Sequence, residues 1–244
     1  MKYMPILPIG MSHLFDICRV TDAFILPQFW GETDYREMYT KRSWQTVIID
    51  NAMYENPDPV PTDELIKIAK TLNAHRIFIV APEDHSDPIH TAEFARDMYE
   101  RKYKPGCGWL PMTIVHGDLP EIHVMSDLLD PLPDMGFGIA VSTWRNGLSR
   151  PRIKEMFSPY HYFHAMGLDS IPELSTLSRA GFNSVDSSMV ATAAVNKIHL
   201  DENTEIIRTG SPTDPKRVPL LQDSFEIMCS ELTERNIDKM SRWI

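Results

Sequence analysis

Gly181-Phe182-Asn183-Ser184-Val185-Asp186-Ser187-Ser188 reads as a short apolar strand that ends on a carboxylate and two hydroxyls. Ahead of it lie a second strand, Tyr160 to Leu168, and a helix, Ile171 to Ala180. Strand, helix, strand, with an acid at the carboxyl end of the last strand, is one turn of a parallel α/β fold. In such folds chemistry sits where the strands end. Asp186 is therefore the candidate reacting residue.

The same pattern continues towards the N-terminus. Thr46-Val47-Ile48-Ile49-Asp50 has the β-branched run of a strand covered on both faces. Arg76 to Val80, Met112 to Val115 and Gly136 to Val141 are further apolar strands, and Asp22 to Pro27 is the first of the series. Helices are predicted over Tyr35 to Arg42, Asp63 to Leu72 (with Thr62 as N-cap) and Pro88 to Lys102. Leu65, Ile68, Ala69 and Leu72 follow helical spacing. After Ser188 a small-residue helix is predicted to Lys197, then an eighth strand at Thr204 to Arg208. Counted from Asp22, the alternation is that of an α/β chain forming a (β/α)8 TIM-like barrel. One domain is predicted over 1–244, with 1–21 as an N-terminal cap segment. Its C-terminal helix falls in 215–244, amphipathic from Leu220 to Trp243.

Bulk composition agrees. The chain has 244 residues, a common length for one such barrel, and is 43% hydrophobic, enough for a sizeable core. Its formal net charge of −10 excludes a general nucleic-acid coat and leaves room for a local basic patch. Cys18, Cys107 and Cys229 lie far apart, without a CxxC pair, which fits a reducing cytoplasm rather than a disulfide framework. No apolar run reaches the roughly 18 residues of a membrane span. The start, Met1-Lys2-Tyr3-Met4-Pro5, is too short and too Pro-broken for a signal peptide.

The strand ends are polar in succession: Asp50 and Asn51, Glu83 and Asp84, His116 and Asp118, Ser142 and Arg145, Asp186 and Ser187. In a barrel they converge on one rim. Singly, such residues are ordinary turn formers and helix N-caps.

Three stretches carry a resemblance: Val47 to Glu55, Ile114-Val115-His116-Gly117, and His164-Ala165-Met166-Gly167-Leu168 followed by Ser184 to Ser188. In order and spacing they resemble the tRNA-guanine transglycosylase superfamily, and within it the short phage-encoded branch that places 7-deazaguanines in DNA. The likeness runs from about Asp22 to Ala194. It implies a pentosyltransferase that exchanges guanine for a free 7-deazaguanine base through a covalent aspartyl-nucleotide. Asp186 matches the nucleophile, and Asp50 the acid/base or recognition group at the base, with Asn51 beside it. Asp84 is the nearest match to an acid that binds the purine edge, and Glu83 is its rival. His116, followed by Gly117, stands where the tRNA enzymes carry a base-reading Gln. Gly167 and Leu168 match part of the Gly-Gly-Leu lining the base pocket. His164 and Ser187 complete the expected substrate contacts.

Elementary chemistry is compatible with that assignment. Displacement at C1′ passes through an oxocarbenium-like state, which one carboxylate can trap while another acid manages the leaving group's proton. A guanine edge presents N–H donors that carboxylates accept, and a base inside a duplex must first be flipped out.

The chain also departs from the tRNA enzymes. They hold a structural zinc through three cysteines and a histidine near the C-terminus. Only Cys229 stands there in this chain, so no zinc and no other cofactor is expected. Arg145, Arg150, Arg152 and Lys154 form a basic stretch able to grip phosphates, or simply a solvated loop. Monomer and homodimer are both open.

Other classes remain. Glu83, Asp84, His85, Asp87 and His90 are spaced like ligands of a metal-dependent barrel hydrolase, although the His-x-His pair of such barrels is missing. His161 and His164, three apart, face opposite sides of a strand; His164 is placed at the rim, and His161 in the core or an interface. A serine hydrolase would need a Gly-x-Ser-x-Gly elbow that the chain lacks. A barrel that only binds a nucleobase, or removes one by hydrolysis, completes the alternatives.

Overall fold

The β-branched run Val47-Ile48-Ile49 lies in a strand buried on both faces, as predicted. In this computed structural model residues 1–7, 11–53, 60–104, 106–130, 137–142, 148–159, 161–168, 170–187 and 235–237 are described. The strands are β1 (Lys2–Pro5), β2 (Asp22–Ile25), β3 (Ser43–Ile49), β4 (Asn73–Val80), β5 (Leu110–Val115), β6 (Gly138–Val141), β7 (Tyr162–Ala165) and β8 (Ser184–Ser187). The helices are α1 (Leu14–Ile17), α2 (Thr33–Thr40), α3 (Thr62–Ala69), α4 (Pro88–Asp97), α5 (Leu119–Leu129), α6 (Arg150–Lys154) and α7 (Ile171–Arg179). Every ladder is parallel, in the order β1-β8-β7-β6-β5-β4-β3-β2. The two end strands, β1 and β2, lie side by side, so the sheet nearly closes. This is the (β/α)8 TIM-like barrel expected of the sequence.

Closure comes from the first strand in the chain. Within the N-terminal cap segment 1–21, Met1 to Gly10 reads as a short capping strand whose two prolines disfavour a central ladder position. Instead Lys2–Pro5 pairs with β8, and the barrel's eighth strand is the first in the chain. Lys2 and Ile6 donate their N–H groups to the carbonyls of Asn183 and Ser187. By the strand's alternation Pro5 is turned towards β2, where no ladder bond is required of it. The predicted helix to Lys197 and strand Thr204 to Arg208 lie outside the described residues. So does the C-terminal segment, except 235–237, which are helical, with Asn236 and Ile237 buried.

The lumen is packed rather than open. Phe24 of β2 stacks on His164 of β7 with ring centroids 5.6 Å apart, and Phe78 of β4 meets Tyr162 of β7 at 4.5 Å. Strands that are not neighbours touch this way only across the interior. Gly138 makes room there: a Cβ at this position would stand 2.6 Å from Met112 Cε and 3.0 Å from Phe78. Alternation then puts Ser184 and Asp186 of β8 on the lumen face with His164 and Tyr162.

The outer helices start on strong local signals. Asp87 caps α4 by accepting from the N–H groups of Ile89 and His90, with Pro88 at the first helical position. Asp118 and Glu121 form a reciprocal capping box on α5. In α3 it is Pro61 that occupies the cap position, and Thr62 begins the helix.

Candidate active site

A parallel barrel brings every strand's carboxyl end to one rim. Asp50, Glu83, His116 and Asp186 all follow or end strands on that rim and are buried. From β3 to β8 the wall runs through β2 and β1. Three steps of the inter-strand spacing make an arc of roughly 14 Å between Asp50 and Asp186, and the chord across the mouth is shorter.

Asp186 is 5% exposed. Its Oδ1 accepts two hydrogen bonds, from His164 Nε2 at 2.8 Å and from the Gly167 N–H at 3.0 Å. Gly167 reaches it in the left-handed conformation, with φ 62°. Among the described residues Oδ2 makes no hydrogen bond. The imidazole of His164 is fully buried, and its Nδ1 lies 2.7 Å from Ser184 Oγ. His164 thus contacts the acid at the rim as placed, and its ring nitrogens are taken up by protein partners rather than offered to a substrate.

The loop bearing Gly167 is held from below. Arg150 is 1% exposed, and its guanidinium donates to the carbonyls of Val141 (3.3 Å), Met166 (2.7 Å) and Gly167 (2.6 Å) and pairs with Glu173. This corrects the expectation that Arg150 grips phosphates: a guanidinium enclosed by carbonyls is committed to the fold. It joins the ends of β6 and β7. Arg152 does stand in solvent, 67% exposed, beside Glu155 at 2.8 Å. Lys154 lays its ammonium over the Phe163 ring, 4.6 Å from the centroid. Arg145 lies outside the described residues.

Asp50 is buried, and its Oδ2 accepts the Ala52 N–H at 3.3 Å. Ala52 is a fully buried non-glycine residue at φ 62°, an unfavourable conformation immediately beside the candidate acid. Asn51 is a strut rather than a substrate group. Its amide nitrogen donates to the Ala81 carbonyl at 2.9 Å, its oxygen accepts from Met53 N–H at 2.9 Å, and Glu83 Oε1 lies 3.5 Å away. It ties the end of β3 to the end of β4.

Glu83 and Asp84 are neighbours with opposite fates. Burial pushes the Glu83 carboxyl above the usual glutamate range, against the pull of His85 (Nε2 at 3.3 Å) and Asn51. Asp84 sits at the surface, and the hydroxyl and N–H of Ser86 hold its carboxyl below the usual range, with Asp87 N–H adding to them. Asp84 Oδ1 is therefore spent on the turn before α4, and of the two candidates for the purine-edge acid Glu83 is the enclosed one. His116 is 1% exposed, with Nε2 3.3 Å from Thr91 Oγ1 and its ring perpendicular to that of His85 at 6.3 Å. Gly117 has φ 110°, and a Cβ there would come 2.6 Å from Glu121 Oε2 and 2.7 Å from Pro88 Cγ. Its value is close packing between two helix starts. Asp118 is a helix cap.

Two other expected contacts are enclosed. Ser187 follows Asp186 in β8, so alternation turns its side chain from the lumen; Tyr3 Oη donates to its carbonyl at 3.2 Å. Leu168 is buried in the apolar core. His161 is buried as placed, 3.6 Å from Asp130 and near the rings of Phe137 and Phe163. Among the described residues no three His, Cys, Asp or Glu side chains gather into a metal-binding group, and Asp87, of the ligand-like set, caps α4. Among the described residues no helix is long and apolar enough to cross a membrane.

Sequence reasoning passed over Ser184 and Tyr162. The available signal was parity: residues 162, 164, 184 and 186 share a strand face in two adjacent, in-register strands. Neither the models of known protein families nor the curated proteins compared with this chain match it.

Proposed function

We propose that the barrel is a base-exchange transglycosylase that replaces guanine in DNA with a free 7-deazaguanine through a covalent bond to Asp186. The observation that carries this reading is the state of that carboxylate. It is buried at the lumen rim, held through Oδ1 alone by a histidine and a backbone N–H, with Oδ2 free of described partners. Two donors on one oxygen offset the desolvation of the charge and fix the carboxylate plane. The second oxygen is then presented as a nucleophile.

In the reaction, Asp186 Oδ2 bonds to the sugar C1′ as the C1′–N9 bond of guanine breaks. The departing purine takes a proton from an acid at the mouth, the role assigned to Asp50. The incoming 7-deazaguanine loses its N9 proton to the same group as N9 bonds to C1′ and the ester to Asp186 breaks. Charge and protons balance over the two steps, and the sugar stays attached to the protein while the bases change places. Glu83 is the acid suited to the purine edge: enclosed and bonded to His85, it differs from Asp84, whose Oδ1 is engaged by its own turn and whose Oδ2 lies 3.6 Å from His90. On the outside, the Arg152–Glu155 pair is of the exposed kind that contributes little, so a phosphate can displace Glu155 without much loss.

The test is incubation with guanine-containing DNA and candidate 7-deazaguanines, followed by nucleoside mass spectrometry, with a tRNA arm beside it. Appearance of the deazapurine nucleoside in DNA is the expected result. Abasic sites without new nucleosides would make the protein a base-removing glycosylase. No change in either would sink both enzymatic readings and leave a nucleobase-binding barrel.

A further inference from the structure

We propose that Tyr162, Ser184 and His164 form one proton-ordered relay through the lumen that decides which oxygen of Asp186 is left to react. This rests on the reading of Asp186 as the nucleophile. The relay is continuous: Tyr162 Oη donates to Ser184 Oγ at 2.9 Å, Ser184 Oγ lies 2.7 Å from His164 Nδ1, and His164 Nε2 lies 2.8 Å from Asp186 Oδ1.

Its direction follows from what each group can give. The phenol is a donor throughout the working range, because burial pushes its pKa up to about 12. Ser184, having accepted that hydrogen, has its own hydroxyl hydrogen to give, and Nδ1 is the acceptor in reach. Nδ1 therefore carries the lone pair and Nε2 the hydrogen, which points at Oδ1. Ser184 and His164 are fully buried, and Phe24 lies against the imidazole with its ring 14° from parallel. The ring can neither turn over nor trade its partners for bulk water. With His164 and Gly167 both on Oδ1, Oδ2 is the oxygen presented to C1′. His164 is on this account a positioning residue, as are Ser184 and Tyr162 behind it.

Nitrogen-15 NMR of the His164 ring in the whole protein tests the proton order without reference to activity. The expected signature at neutral pH is a protonated Nε2 and an unprotonated Nδ1. The opposite tautomer, or a doubly protonated ring, overturns the proposal. The second arm is Ser184→Ala, read both by NMR and by formation of a denaturant-stable adduct with a guanine-containing oligodeoxynucleotide. The tautomers should mix, and adduct formation should slow by roughly 10- to 100-fold, the effect of losing a hydrogen bond that supports a charged group. Apparent affinity for the oligonucleotide should hold, and Ser184→Thr should restore the rate. A Ser184→Ala protein with an unchanged tautomer or an unchanged rate refutes the relay. A wild type that shows the expected tautomer but never forms adduct sinks the nucleophile assignment and with it the catalytic role of the relay, while the proton order stands.

Discussion

Two buried aspartates occupy opposite ends of the same barrel. Asp22 opens β2 at the amino-terminal floor and is 2% exposed. Thr21 Oγ1 donates to its Oδ2 at 2.6 Å, and the Lys2 ammonium stands 4.0 Å from that same oxygen. Asp186 at the rim is equally enclosed, but its bonds come from an imidazole and a peptide N–H, and one oxygen is left over among the described residues. Each acid is thus braced through a single oxygen, and what differs is the partner and the place: a hydroxyl and a distant cation at the floor, an imidazole and a peptide N–H at the rim. In a parallel barrel the floor serves stability and the rim is where chemistry sits, and the role proposed for Asp186 rests on that difference of place.

The largest expected effect separates them directly. Asp186→Asn should abolish adduct formation, by at least about a thousandfold, because the amide is not a nucleophile at C1′; thermal unfolding should move little. Asp22→Asn should do the reverse, costing about 1 kcal/mol of stability with adduct formation intact. Loss of activity in both, or in neither, would erase the contrast.

Next in size is Gly117→Ala. A methyl group 2.7 Å from Pro88 Cγ, at φ 110°, cannot be accommodated without moving the starts of α4 and α5. Denaturant unfolding should report a loss of roughly 3 kcal/mol.

The two acids after β4 give a pH-dependent contrast within the rim. Glu83 has a raised carboxyl in the folded state, chiefly from burial. Above the usual glutamate value the unfolded chain has released a proton that the native state still holds, so stability falls as pH rises through that window. Glu83→Gln should therefore raise stability at neutral pH, and the gain should vanish in acid. Asp84 has a lowered carboxyl, held by Ser86. Its contribution is present above the usual aspartate value and is lost as pH falls through the folded one, so Asp84→Asn should weaken the protein at neutral pH and not in acid. Chemical denaturation across pH, with both variants, checks the two signs.

The smallest effect concerns backbone strain. Among the described residues two that are not glycine have positive φ: Ala52 at the rim and Arg19 near the floor. Replacing either by glycine relieves about 1–2 kcal/mol of left-handed strain and adds back part of that as lost chain entropy. A net gain of roughly 0.5 kcal/mol is expected for each. Ala52→Gly should also slow turnover, since it loosens the peptide that meets Asp50; Arg19→Gly should not.

Much of this molecule can be read along the chain. β-Branched runs such as Val47-Ile48-Ile49, and caps such as Asp87 before Pro88, are local decisions made over a few residues. So the strands between Asp22 and Asp186, the helices α2, α3, α4 and α7, and the placement of Asp50, Glu83, His116 and Asp186 at strand ends followed from the order of residues, whereas α5 was passed over and α6 was read as a loop. What could not be read depended on partners distant in sequence. Lys2–Pro5 joins the barrel because β8 offers it a ladder that spares Pro5. Arg150 is buried because three carbonyls from the ends of two strands, β6 and β7, converge on it; by composition it belonged to a basic loop.

By itself, then, the sequence determined the alternation of strand and helix and hence the barrel, because hydrophobic periodicity acts locally. Only the tertiary structure decided which polar residues face the lumen, which are spent on caps and carbonyls, and which oxygen of Asp186 takes the bonds of His164 and Gly167. Those outcomes depend on register between strands and on burial, and both are properties of the assembled sheet.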